Sequence, residues 1–138
     1  MDNNIKIDEK FNVRNINTTA LAYLGDAVYE LKIRNHLLRG GEIHGNMLHR
    51  KAIRYVSAAA QAKTIRDCLE YLTEEERSLV RRARNRKITS KPTNVSPMTY
   101  KWATALEALI GFLYLEGKTE RMNEILDLFI EHAEKNNR

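Results

Sequence analysis

Residues 98–116, MTYKWATALEALIGFLYLE, decide the fold. Ala103, Ala105, Leu106, Ala108, Leu109, Ile110, Phe112 and Leu113 leave almost no side of a helix to solvent. A helix that is apolar all round is buried. Ser96-Pro97 precede the stretch, with serine as N-cap and proline in the first turn. Gly117 follows and stops it. The stretch therefore predicts a central helix, from Met98 to about Glu116, around which others pack.

Working outward, only 6 Gly and 2 Pro punctuate 138 residues, and the rest is rich in Ala, Leu, Glu, Lys and Arg. No alternating run is long enough to demand a strand. The expected fold is all-α, a single domain over residues 18–136 behind a polar segment, residues 1–17. The first helix is capped at Asn17-Thr18-Thr19 and runs to Gly40-Gly41, with Leu21, Leu24, Val28, Leu31 and Leu38 as its apolar stripe. A second helical stretch spans Asn46 to about Leu72 and breaks near Ser57. Thr73 and Glu76 have the spacing of a capping box and open a helix to about Lys87. A loop covers Ile88 to Pro97, and Thr119 caps the last helix.

Composition narrows the class. A lone cysteine, Cys68, excludes a disulfide framework and a multi-cysteine zinc site, and fits a reducing compartment. No run of 18 apolar residues marks a membrane span, and the polar N-terminus lacks a signal-peptide core. A soluble cytoplasmic protein is expected. His36, His44, His49 and His132 show no metal-ligand spacing and read as surface or helix-end residues. Tyr23, Phe112 and Tyr114 read as core or interface, and Trp102 as core or rim.

Two carboxylates stand out. Glu107 lies in the middle of the apolar helix, where an unpaired carboxylate either neutralises or finds a cation. Asp26 lies mid-helix beside Gly25, and both are poor helix residues. Glycine admits a close backbone or ligand. One reading has both acids satisfied by arginines or helix ends. The other has them share a Mg²⁺ ion, since hard oxygen ligands suit magnesium and a bound ion activates water for phosphodiester hydrolysis.

Charge points to the partner. The 30 residues from Arg77 to Leu106 hold Arg77, Arg81, Arg82, Arg84, Arg86, Lys87, Lys91 and Lys101 and no acid, +8 in all, whereas the protein's net charge is +5. Helix C-termini favour a few basic residues, not eight. A polyanion is expected, and nucleic acid fits better than a membrane because no large apolar face opposes the charges. Basic residues beside two odd carboxylates suggest a metal-dependent nuclease.

Leu24-Gly25-Asp26-Ala27-Val28 resembles the signature core of ribonuclease III, usually a longer Glu-Arg-Leu-Glu-Phe-Leu-Gly-Asp-Ala pattern. Leu106-Glu107-Ala108-Leu109-Ile110-Gly111, with Tyr114-Leu115, resembles that family's second motif about 80 residues on. The resemblance spans about Thr18 to Glu131. Thr19 and Ala22 stand where the family has glutamates, and Thr104 where it has an aspartate. With no room for a double-stranded-RNA-binding domain, these departures match the Mini-III branch, whose similarity extends through Tyr23 to Glu30.

The resemblance implies the ribonuclease III endonuclease-domain fold, a homodimer, and Mg²⁺-dependent endonucleolytic cleavage of double-stranded RNA. It implies a stalk of precursor 23S ribosomal RNA as substrate in large-subunit biogenesis, with a large-subunit ribosomal protein as a candidate further partner. Asp26 and Glu107 match the catalytic, metal-binding carboxylates, and Glu30 is a candidate for an outer shell. RNA contact falls to Arg82, Arg84, Arg86, Lys87 and Lys91, with the Ile88–Pro97 loop a candidate for reaching the minor groove. The alternatives are a non-catalytic double-stranded-RNA-binding scaffold on the same fold, and a basic helical DNA-binding module without an evident recognition helix.

Overall fold

The computed structural model describes residues 11–87 and 94–137, and all regular structure among them is helical. α1 spans Thr18–Arg39, α2 Gly45–Val56, α3 Ala58–Asp67, α4 Glu74–Asn85, α5 Pro97–Leu115 and α6 Thr119–Asn136. Short 3-10 turns occupy Val13–Asn15 and Leu69–Tyr71.

Local chemistry sets these boundaries. The Asn17 side chain accepts from the Ala20 N–H and starts α1. Ser57 ends α2 and accepts from Ala60 to start α3, so the expected break is there. The Thr73–Glu76 capping box forms, with both reciprocal bonds present. Ser96 caps α5 with Pro97 in its first turn. Gly117 turns the chain out of α5 at φ 73°, a left-handed conformation in which glycine has no Cβ penalty. Thr119 begins α6 rather than capping it; Lys118 holds the cap position without a side-chain capping bond.

The expected central helix is α5. Leu106, Leu109, Ile110, Phe112 and Leu113 are buried along it, each contributing about 1.5–3 kcal/mol of apolar burial. α1, α3 and α4 pack directly against it, and α6 lies alongside. Val13 is buried and Ile16 packs on the core, so the turn before α1 belongs to the folded unit. Glu76, 4% exposed, receives Arg121 from α6 at 2.8 Å and 2.9 Å. Arg121 also bonds the Tyr71 carbonyl at 3.0 Å, locking α6 to the start of α4.

The stripe expected on α1 is corrected. Leu21 is buried, but Leu31 is 71% exposed and Leu38 is also exposed. The buried positions are Thr18, Leu21, Ala22, Gly25, Tyr29, Ile33 and Leu37. The reason is steric: the contact with α5 centres on the smallest residue, Gly25, because there two backbones can touch. The branched residues on the other side of α1 are left facing outward, beside Tyr23 at 85% exposure.

Candidate active site

Gly25 and Gly111 make the crossing of α1 and α5. A Cβ on Gly25 would stand 1.7 Å from the Glu107 carbonyl oxygen and 2.9 Å from the Gly111 nitrogen. A Cβ on Gly111 would stand 2.0 Å from the Leu21 carbonyl oxygen. What Gly25 admits is thus the backbone of the second motif. The two glycines bring the chain segments carrying the odd carboxylates into direct contact.

Asp26 follows Gly25, about 100° further round α1. It lands at the rim of the crossing, near enough for its charge to act on the Glu107 carboxyl. Burial first, then the neighbouring charge of Asp26, pushes the Glu107 carboxyl up to about 8; the Gln61 amide opposes the shift, and Glu30 adds a smaller upward push. Neither acid is as enclosed as their apolar surroundings in sequence suggest: Glu107 is half-buried and Asp26 exposed. The rim position explains this, since one side of the pair opens to solvent.

Ala22 and Thr104 add no further carboxylate. Ala22 is buried, and the Thr104 hydroxyl donates to the Tyr100 carbonyl at 2.9 Å. Glu30 pairs with Arg34 at 3.3 Å, one turn along α1. Among the described residues no group of three or more His, Cys, Asp or Glu side chains is arranged to hold a metal. The site therefore offers two carboxylates and open water. That donor set suits magnesium, which keeps several waters and binds through one or two carboxylates plus substrate phosphates. It does not suit a closed zinc site.

The basic segment divides into parts. Arg77 is committed to the Leu69 and Leu72 carbonyls at 3.2 Å and 2.7 Å. Arg84 is half-buried, 4.9 Å from the Trp102 ring centre, with its Nε donating to Asn85. Arg82, Arg86 and Lys87 are exposed at the C-terminal end of α4. Lys91 and most of the Ile88–Pro97 loop lie outside the described residues. The Arg84–Trp102 contact ties the basic end of α4 to α5, on which Glu107 lies five residues further, about 7.5 Å along the axis.

The residue that the sequence reading missed is Gln61. It is buried on α3, and its amide holds the Glu107 carboxyl down against the larger upward effects of burial and Asp26. Its signal was faint: one amide in the run Ala58-Ala59-Ala60-Gln61-Ala62, and the sole glutamine of the chain. The residues set aside are elsewhere. His36 bonds Glu134 at 2.6 Å, His132 bonds Asp67 at 3.0 Å, and Cys68 is buried.

Comparison with known proteins agrees with this all-helical fold. The Ribonuclease III domain family matches residues 19–118. Mini-ribonuclease 3 of Symbiobacterium thermophilum is 45% identical over 115 residues, covering 83% of this chain and 88% of that protein. Mini-ribonuclease 3 of Thermoanaerobacter sp. (strain X514) is 39% identical, covering 96% and 93%. A protein from Fusobacterium nucleatum solved by X-ray crystallography superposes with a TM-score of 0.77 at 35% identity, covering 87% of this chain and 96% of that one.

Proposed function

The chain belongs to the ribonuclease III family, and from that premise we propose that it is a Mg²⁺-dependent endoribonuclease that trims a double-stranded stalk of precursor 23S ribosomal RNA. Cleavage of double-stranded RNA by a ribonuclease III-type domain is the coarse activity. The finer reading rests on one observation above all, the Asp26–Glu107 pair made at the Gly25/Gly111 crossing and open to solvent on one side. A scaffold that only binds RNA gives no reason for that pair.

Asp26 and Glu107 are the proposed metal-binding and catalytic residues. A divalent ion held between them would supply charge to stabilise the scissile phosphate and acidity to activate water. The protein's part is to fix both carboxylates and to keep one side open to RNA. With Glu107 held at about 8, the pair retains a proton at neutral pH that a cation must displace. Apparent Mg²⁺ affinity should therefore climb by up to about tenfold per pH unit below 8 and level off above it. Calorimetric titration with Mg²⁺ between pH 6 and 9 checks this, and a flat profile would contradict it.

RNA affinity falls to the basic end of α4: Arg82, Arg86 and Lys87 on the surface, Arg84 braced on Trp102, and Lys91 beyond. Substituting Arg82, Arg86 and Lys87 together with alanine should weaken duplex binding regardless of sequence. It should also flatten the log–log salt dependence by up to about 2.7 units, roughly 0.9 for each phosphate no longer neutralised. An unchanged slope would place the RNA elsewhere.

The outward face of α1, with Tyr23, Leu31 and Leu38 exposed, supports a homodimer, because apolar patches of this kind are usually covered. A cytoplasmic location and a large-subunit ribosomal protein partner belong to the same reading. No helix among the described residues is long and apolar enough to cross a membrane.

The test is to incubate the protein with the precursor 23S stalk and with an unrelated duplex of equal length, in Mg²⁺ and in EDTA. Mg²⁺-dependent cutting that favours the stalk and leaves a short 3′ overhang is expected. Equal cutting of both duplexes would refute the ribosomal assignment.

A further inference from the structure

We propose that Trp102 is a positioning residue for RNA, its ring holding the Arg84 guanidinium as a pre-oriented fork for one phosphate of the duplex. The proposal rests on the reading of the basic end of α4 as the RNA contact.

The arginines of this chain differ in what they touch. Arg14, Arg34 and Arg121 each pair with a carboxylate, and Arg77 is taken up by two carbonyls and Glu74. Arg84 pairs with no acid among the described residues, and no Asp or Glu stands between Arg77 and Leu106 in the chain. Its guanidinium carbon lies over the Trp102 ring, 4.9 Å from the centre, and its Nε donates to the Asn85 side-chain oxygen at 3.1 Å. The ring covers one side of the cation and Asn85 takes up Nε. The two Nη groups are left without a partner among the described residues. Such a pair of N–H donors matches two oxygens of one phosphate.

Packing between α4 and α5 does not need this contact. Leu79, Val80 and Ala83 already bury one face of α4, and Arg121 holds Glu76 at its start. Arg84 is half-buried, whereas Arg82, Arg86 and Lys87 near it are exposed. An arginine already held on a ring loses less freedom on gripping a phosphate than a free one. The aromatic face attracts the cation without neutralising it, so the charge remains for an outside anion. A carboxylate in place of the ring would cancel that charge and repel RNA. Because Trp102 and Glu107 lie on one helix, the ring also ties this phosphate contact to the element that carries the cutting centre.

Duplex binding in EDTA tests this for wild type, Trp102→Leu, Trp102→Phe, Arg84→Gln and Trp102→Leu combined with Arg84→Gln. The triple alanine variant of Arg82, Arg86 and Lys87 is measured beside them. Trp102→Leu is expected to bind about tenfold more weakly, as loss of one charged hydrogen-bonded contact does. Trp102→Phe keeps a ring and should bind within about threefold of wild type. In the Arg84→Gln background Trp102→Leu should weaken binding no further, because the ring acts only through Arg84. Wild-type affinity in Trp102→Leu, or a full further loss in the combined variant, would overturn the positioning role alone if the triple variant binds weakly. Wild-type affinity in the triple variant would overturn the RNA reading and this proposal with it. Should Trp102→Leu fail to fold, the wild-type protein still decides. Trp102 is its single tryptophan, so the indole emission is expected to change as duplex is added in EDTA, and an unmoved emission would overturn the proposal.

Discussion

Glu107→Gln abolishes cleavage and raises the melting temperature of the metal-free protein above pH 8. The two effects have one cause. Burial and the charge of Asp26 push the folded Glu107 carboxyl up to about 8 from its ordinary 4.5. Between those values the folded chain holds a proton that the unfolded chain has lost. Stability therefore falls as pH rises through this window, and the full cost is present above about 8. Glutamine removes the charge and keeps the shape. Because Glu107 is half-buried, solvent screens part of the penalty, and the gain is about 1 kcal/mol, roughly 4 °C. Near pH 4.5 the gain vanishes. Cleavage falls by about 10³-fold or more, some 4 kcal/mol of transition-state stabilisation, whereas duplex binding in EDTA is unaffected. Melting curves at pH 5 and 8.5, single-turnover cleavage, and duplex binding in EDTA measure all three. A variant that melts lower than wild type at pH 8.5, or cuts within tenfold of it, contradicts the account.

Gly25→Ala and Gly111→Ala each destabilise the protein by about 3 kcal/mol or more. The added methyl would meet backbone, the Glu107 carbonyl oxygen at 1.7 Å or the Leu21 carbonyl oxygen at 2.0 Å, and backbone cannot turn aside as a side chain can. Overpacking in a close-packed interior costs about 1–3 kcal/mol when side chains absorb it, occasionally more; here α1 and α5 must separate. That parts Asp26 from Glu107, so any folded fraction should also lose divalent-cation affinity. Urea unfolding of both variants checks the stability. A midpoint within experimental error of wild type would mean that the helices do not touch at these residues.

The sequence exposed this core because a helix apolar all round has one physical solution. Ser57, the Thr73–Glu76 box and Ser96-Pro97 marked helix ends because the orphan N–H groups of a first turn demand acceptors there. Gly25 beside Asp26 was conspicuous for a related reason, two poor helix residues in succession. Which body Gly25 admits was illegible, since a ligand and a second helix make the same demand on a glycine. The stripe on α1 was misjudged because Leu31 and Leu38 are as apolar as core residues, and periodicity does not say which of two apolar faces meets α5. Arg84 reads in the sequence as one more cation, and only the fold puts Trp102 beneath it. Gln61 was hidden because one amide among alanines has no pattern, and its meaning lies in a residue of another helix.

The most direct test of the central claim is cleavage of a labelled RNA duplex and its DNA counterpart, in Mg²⁺ and in EDTA, by wild type and Asp26→Asn. The account predicts cutting of the RNA duplex alone, only with Mg²⁺, and none by Asp26→Asn, which still binds the duplex. Undiminished cutting by Asp26→Asn, or binding without cutting by wild type under any divalent metal, would contradict it.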